Sequence, residues 1–146
     1  MRKSLTVLIA AAAAYAGGFY LELGNPSANS EAKSMSAVLV ARLTGCHEPE
    51  KATIEGSAEG LVSRKRQSIP LKLTTLTTPG MYAVTQQWPN EGNWVVRLVA
   101  TQVDGKTKTS VVVRVNGNSF ERAGAKYMTL RVPTSAEVDQ MLGISE

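Results

Sequence analysis

The sequence predicts an all-β sandwich of about seven strands closed by a short C-terminal helix at about 135–142. Three observations carry this. Short runs rich in Val, Thr and Leu recur between residues 37 and 132, with no helical periodicity among them. Turn dipeptides punctuate the runs, at Pro79-Gly80, Asp104-Gly105 and Asn116-Gly117. The C-terminal stretch then changes character: Thr134-Ser135-Ala136-Glu137 is a capping-box pattern, followed by Val138, Met141 and Leu142 on one helical face.

The elements follow in chain order. Met1-Arg2-Lys3 is a basic start, and Leu5–Ala16 is an uncharged apolar run ending in Ala14-Tyr15-Ala16, the small-x-small exit of a secretory signal. Residues 1–16 are therefore expected to be removed on export to the periplasm or beyond. Left uncleaved, the segment would be a membrane anchor, but Glu22 keeps the apolar stretch at the short limit for a spanning helix. A second candidate cut lies near Ala28-Asn29-Ser30. Residues 17–35, polar from Glu22 onward with Gly, Pro, Asn and Ser, read as a flexible leader. The folded domain is then residues 36–146, enough for one core and too short for two.

Ala37–Ala41 is a continuous apolar run, as expected of a strand buried on both faces. Ala52–Ala58 and Gly60-Leu61-Val62 are weaker strand signals. In Gln67–Leu76, Ile69, Leu71 and Leu73 alternate with Pro70, Lys72 and Thr74; Pro70 lacks an amide donor, which predicts an edge strand or a bulge. Tyr82 and Val84 lead the next strand. Trp94, Val96, Leu98 and Ala100 then share a face, as do Val111, Val113 and Val115, and Phe120–Val132 closes the β region. Asp104-Gly105 predicts a two-residue hairpin with positive φ at both central positions. Gly143 is placed to end the helix in a left-handed cap.

Charge and cysteine content narrow the function classes. The formal charge of +4 falls to +2 once Arg2 and Lys3 leave with the signal. A near-balanced exported domain has no electrostatic footprint for nucleic acid. With one Cys there is no internal disulfide, so packing must supply the stability.

Two segments resemble a known family. Pro79-Gly80-Met81-Tyr82-Ala83-Val84 has the form G-x-Y-x-V, and Trp88-Pro89-Asn90-Glu91-Gly92-Asn93-Trp94-Val95-Val96 is a turn followed by G-x-W-x-V. Together, over about residues 78–103, they resemble bacterial extracytoplasmic immunoglobulin-like domains of the YtkA/FixH type. The resemblance implies an exported immunoglobulin-like β-sandwich, in a setting of copper or cytochrome-oxidase housekeeping. It brings no ligand set with it: related copper carriers use several His residues or Met-rich loops, and this chain has one His.

The candidate sites are few. Cys46 and His47 are adjacent, and a thiolate beside an imidazole suits Cu(I) or Zn(II). Two ligands fall short of a closed zinc site, so the rest would come from Met81, Met128, Glu48 or a second molecule. The plainer reading is a Cys at the end of a core strand beside a surface His. Leu43-Thr44-Gly45-Cys46 also has lipobox form, but lacks a signal core directly before it. Arg64, Lys65 and Arg66 form a basic run at an expected hairpin tip, either a solvated tip or a contact for an anionic envelope polymer. Tyr82 and Trp94 are expected in the core, and Trp88, beside Pro89, is expected to be exposed. With one His and no G-x-S-x-G elbow, no catalytic triad is readable.

These readings point to an exported, non-catalytic binding module of the bacterial envelope, its partner an unidentified envelope protein or surface polymer. The alternative is a copper- or zinc-binding accessory protein that uses Cys46 and His47.

Overall fold

A computed structural model describes residues 18–45 and 48–144. The expected signal at 1–16, and both Cys46 and His47, lie outside the described residues. The strands are β1 (Tyr20–Gly24), β2 (Leu39–Thr44), β3 (Thr53–Val62), β4 (Lys65–Leu71), β5 (Thr74–Thr75), β6 (Met81–Val84), β7 (Asn93–Thr101), β8 (Lys108–Asn116), β9 (Ser119–Phe120) and β10 (Lys126–Thr129). Two short helices are α1 (Ser30–Ser34) and α2 (Ser135–Met141).

All pairings are antiparallel, in two sheets of order β1-β2-β6-β5 and β10-β8-β7-β3-β4, with β9 hairpinned to β8. Lettering β1 to β8 as A, B, C, C′, D, E, F and G turns these orders into A-B-E-D and G-F-C-C′. That is immunoglobulin-like topology, with β10 added outside G.

The inner faces supply the core. Leu21, Leu23, Leu39, Leu43 and Val84 of one sheet meet Ala58, Trp94, Val96, Leu98, Val111 and Val113 of the other. Trp94 lies across Gly60, its cross-strand partner, where a Cβ would come within 2.5 Å of the ring. The indole thus needs a glycine beneath it, and its Nε1 donates to Glu91 O at 2.8 Å.

The flexible-leader expectation for residues 17–35 is overturned. Tyr20–Gly24 is strand A, paired along its whole length with β2, and Phe19, Leu21 and Leu23 are buried. Tyr20-Leu21-Glu22-Leu23-Gly24 alternates outward and inward as a half-buried strand should. Asn25 and Asn29 cap a 3-10 turn and α1 through their side-chain oxygens, and Ala32 packs α1 onto Val40, Leu76 and Ala83 on the sheet's outer face. The domain therefore begins before residue 20, not at 36.

The 67–76 run divides. Its first part belongs to β4, an edge strand as Pro70 required, and its last to β5 in the opposite sheet. The crossing at Lys72 is held by Gln87, whose side chain accepts from Lys72 N (2.8 Å) and donates to Lys72 O (2.9 Å).

Turn chemistry also differs from expectation. Between β7 and β8, Gln102 N donates to Thr107 O across a longer loop in which only Gly105, φ +71°, is left-handed. Asp104 stays out of that region and accepts from Lys106 N, Thr107 N and Thr107 Oγ1. The two-residue turn with positive φ at both positions is instead Ser63-Arg64, at 49° and 64°, between paired Val62 and Lys65.

The C-terminal helix forms as the capping box requires, with Glu137 N donating to Thr134 Oγ1 and Thr134 N to Glu137 Oε1. Val138, Met141 and Leu142 bury against Val95, Val112 and Met128, so α2 covers part of the outer face of the larger sheet.

Candidate functional site

Two residues singled out in the sequence, Arg66 and Trp88, are structural here. Arg66 ties β4 to α2: its Nε lies 3.0 Å from Asp139 Oδ1, its Nη1 donates to Gln67 O at 3.0 Å, and Glu59 Oε2 is 3.6 Å away. Two carboxylates thus surround one guanidinium, and the basic run is reduced to Arg64 in the turn and Lys65 beside it. Trp88 is a correction. It is 4% exposed, sits in the main core, and donates Nε1–H to Gly117 O at 3.2 Å. The turn at Pro89 folds the indole back beneath the β8–β9 hairpin instead of presenting it to solvent.

Of the supplementary metal ligands, Met128 and Met81 belong to different sheets. Met128 is buried under α2 on the larger sheet, while Glu48 pairs with Lys51 at 2.8 Å. Met81 is half-buried on the smaller sheet, opposite Arg42. Among the described residues no three of His, Cys, Asp and Glu come together as a metal site. No described helix is long and apolar enough to cross a membrane.

Two carboxylates are strongly perturbed. Thr107, through its hydroxyl and its amide, with Lys106 N, holds Asp104 down to about 2. The Arg131 guanidinium, at 2.6 and 2.9 Å, holds Glu137 down to about 2, aided by Thr134 N, while Arg131 itself is raised. Both groups organise loops: Asp104 the β7–β8 connection, and Glu137 the entry to α2.

A different constellation has the features of a binding site. A cleft of about 460 Å³ opens along the β1 edge of the sandwich. β1 and β2 contribute Glu22 and Arg42, which are direct cross-strand partners. Arg122 comes from the 3-10 turn after β9, and Tyr127, 51% exposed, from β10 of the other sheet. Val40 and Met81 supply an apolar floor, and Asn25 and Asn29 stand at one rim. Among the described residues, Glu22, Arg42, Arg122 and Tyr127 make no side-chain hydrogen bond or ion pair. The two asparagines use their oxygens as caps, at 3.0 Å each, which leaves the amide nitrogens as donors.

Arg114 shows the contrast. It lines a second concavity of about 370 Å³ near the end of α2, but its Nε already donates to Met141 O at 2.9 Å and closes the helix. In the edge cleft, two guanidiniums, a phenol and a carboxylate converge without such duties. Sequence inspection missed all four. The available signal was the alternation in Tyr20–Gly24, which marks a strand and places Glu22 on its outer face.

No family model, curated protein or solved structure matches the chain.

Proposed function

We propose that the chain is an exported, non-catalytic binding module of the bacterial cell envelope and that the edge cleft is where it takes its ligand. The reading rests on one observation: Glu22, Arg42, Arg122 and Tyr127 converge from both sheets on one cleft, with no internal partners among the described residues. Surface charges on a sandwich are usually scattered, and a polar set over an apolar floor is what a ligand pocket requires. Export rests on the basic start and apolar run of residues 1–16. Cleavage after Ala16 would leave strand A whole, whereas a cut near Ser30 would remove it.

The test is an amide-resolved NMR titration of protein beginning at Gly17 with soluble fragments of bacterial envelope. Shifts centred on Glu22, Arg42, Arg122 and Tyr127 are expected, with the fragments recovered unchanged. Shifts elsewhere only would refute the cleft, and turnover of the fragments would make the protein an enzyme.

A further inference from the structure

We infer that the ligand of the edge cleft is an acidic saccharide chain, bound through its carboxylate or phosphate groups by Arg42 and Arg122; this rests on the binding-module reading above. Two guanidiniums face one carboxylate, Glu22, so the cleft carries a net positive charge. A guanidinium is charged at any physiological pH, and its donor fork matches the oxygens of a carboxylate or phosphate. Lysines, which bind anions as point charges, are not among the residues lining the cleft.

The rest of the cleft selects for a sugar. Saccharide rings present an apolar face and a rim of hydroxyls. Val40, Met81 and the Tyr127 ring offer the apolar side. Glu22 can accept from hydroxyls, and the Asn25 and Asn29 amide nitrogens can donate to them. The asparagine positions are fixed in advance, because their oxygens already cap the 3-10 turn and α1. That preorganisation lowers the ordering cost of binding. The cleft is open to solvent, so a segment of a longer chain can enter it. Arg64 and Lys65, the remaining free part of the basic run, are at a hairpin tip outside the cleft and serve as the control surface.

The experiment is calorimetric titration of the protein beginning at Gly17 with four probes of similar length. They are oligogalacturonate, its neutral methyl ester, a phosphate-bearing mannose oligosaccharide and oligoglutamate. The expected result is binding of the carboxylate or the phosphate oligomer, whichever is the source of the anion, with the methyl ester much weaker. Affinity should fall by about tenfold or more in Arg42→Gln and in Arg122→Gln, as expected for loss of a charged hydrogen-bond donor. It should be unchanged in Arg64→Gln/Lys65→Gln and should weaken with salt. Unaltered folding of each variant is checked by circular dichroism; both arginines are exposed.

Equal binding of the methyl ester, still lost in the arginine variants, would overturn the acidic class while the cleft stands. Equal binding of oligoglutamate would overturn the saccharide assignment. Binding that persists in the Arg42→Gln/Arg122→Gln double variant would place the ligand elsewhere and overturn both. Failure of all four probes would end the acidic-saccharide inference, leaving the envelope titration to decide the binding-module reading.

Discussion

Strand A gives the sharpest test of the architecture, because a polar leader and a core strand predict opposite outcomes for the same substitutions. Leu21 and Leu23 are 3% and 2% exposed and pack in the main cluster with Trp88 and Trp94. Truncating such a leucine to Ala removes apolar burial and leaves a cavity, at a cost of about 2–5 kcal/mol. Against a typical total of about 5–15 kcal/mol this is large. For a domain of this size it lowers Tm by roughly 8–20 °C. Glu22, between them in sequence, points outward, and Glu22→Ala should stay within about 0.5 kcal/mol of wild type. Thermal melts followed by tryptophan fluorescence would read this directly, since both indoles share the cluster with the two leucines. The expected pattern is destabilised, neutral, destabilised across residues 21, 22 and 23. Protein beginning at Ser36, which lacks strand A, should fail to give a cooperative melt. If Leu21→Ala and Leu23→Ala were as harmless as Glu22→Ala, residues 20–24 would not be a strand of this sandwich.

Three further outcomes are expected. Ser63→Asn/Arg64→Gly should stabilise the fold by about 1 kcal/mol and raise Tm by roughly 4 °C, because two L-residues held at φ 49° and 64° give way to residues suited to that turn; a lower Tm would show that Arg64 contributes contacts outweighing its strain. Trp88→Ala should cost about 3–5 kcal/mol, while Trp88→Phe, which keeps most of the ring but loses the bond to Gly117 O, should cost less, and equal stability in denaturant for wild type and Trp88→Ala would return the indole to the surface. Acid should loosen α2: Glu137 has its pKa lowered in the fold, so its contribution is complete above the ordinary value of 4.5 and is lost as pH falls towards about 2. Protection factors of the α2 amides, taken relative to intrinsic exchange at each pH, should therefore fall over that range in wild type and much less in Glu137→Gln, and identical profiles would remove Glu137 from the docking of the helix.

Much of the fold was legible because its signals are local. The capping box at Thr134–Glu137 needs residues three apart, and it formed as written. Pro70 announced an edge through its missing amide, and β4 is an edge. What was not legible depended on distant partners. Leu21 lies where the expected signal's apolar run could be extended and Leu23 falls in a stretch that reads as a polar leader, and only pairing with β2 reveals strand A. The division of residues 67–76 between two sheets depends on Gln87, fifteen residues beyond Lys72. Asp104-Gly105 had the composition of a two-residue turn, but Asp104 gains more by accepting from Lys106 and Thr107 than by adopting a left-handed backbone.

The same physics explains why the conspicuous basic run divided while an inconspicuous cluster assembled. In a β protein, neighbours in sequence point to opposite faces, so a run such as Arg64-Lys65-Arg66 cannot act as one patch once its strand begins. One member turned towards Asp139 and Glu59 and became a tie for α2. A site on a sandwich has to be gathered across strands, by register and by the meeting of the two sheets. Register sets Glu22 opposite Arg42, twenty residues apart, and the additions after strand G bring Arg122 and Tyr127 to the same edge. Those additions are what distinguish this chain from a bare immunoglobulin-like sandwich: β10 lies outside G, at the edge that borders the cleft. The part of the fold that departs from the common plan therefore supplies half of the cleft's polar set, which is where the proposed binding function, if grafted onto a shared scaffold, belongs.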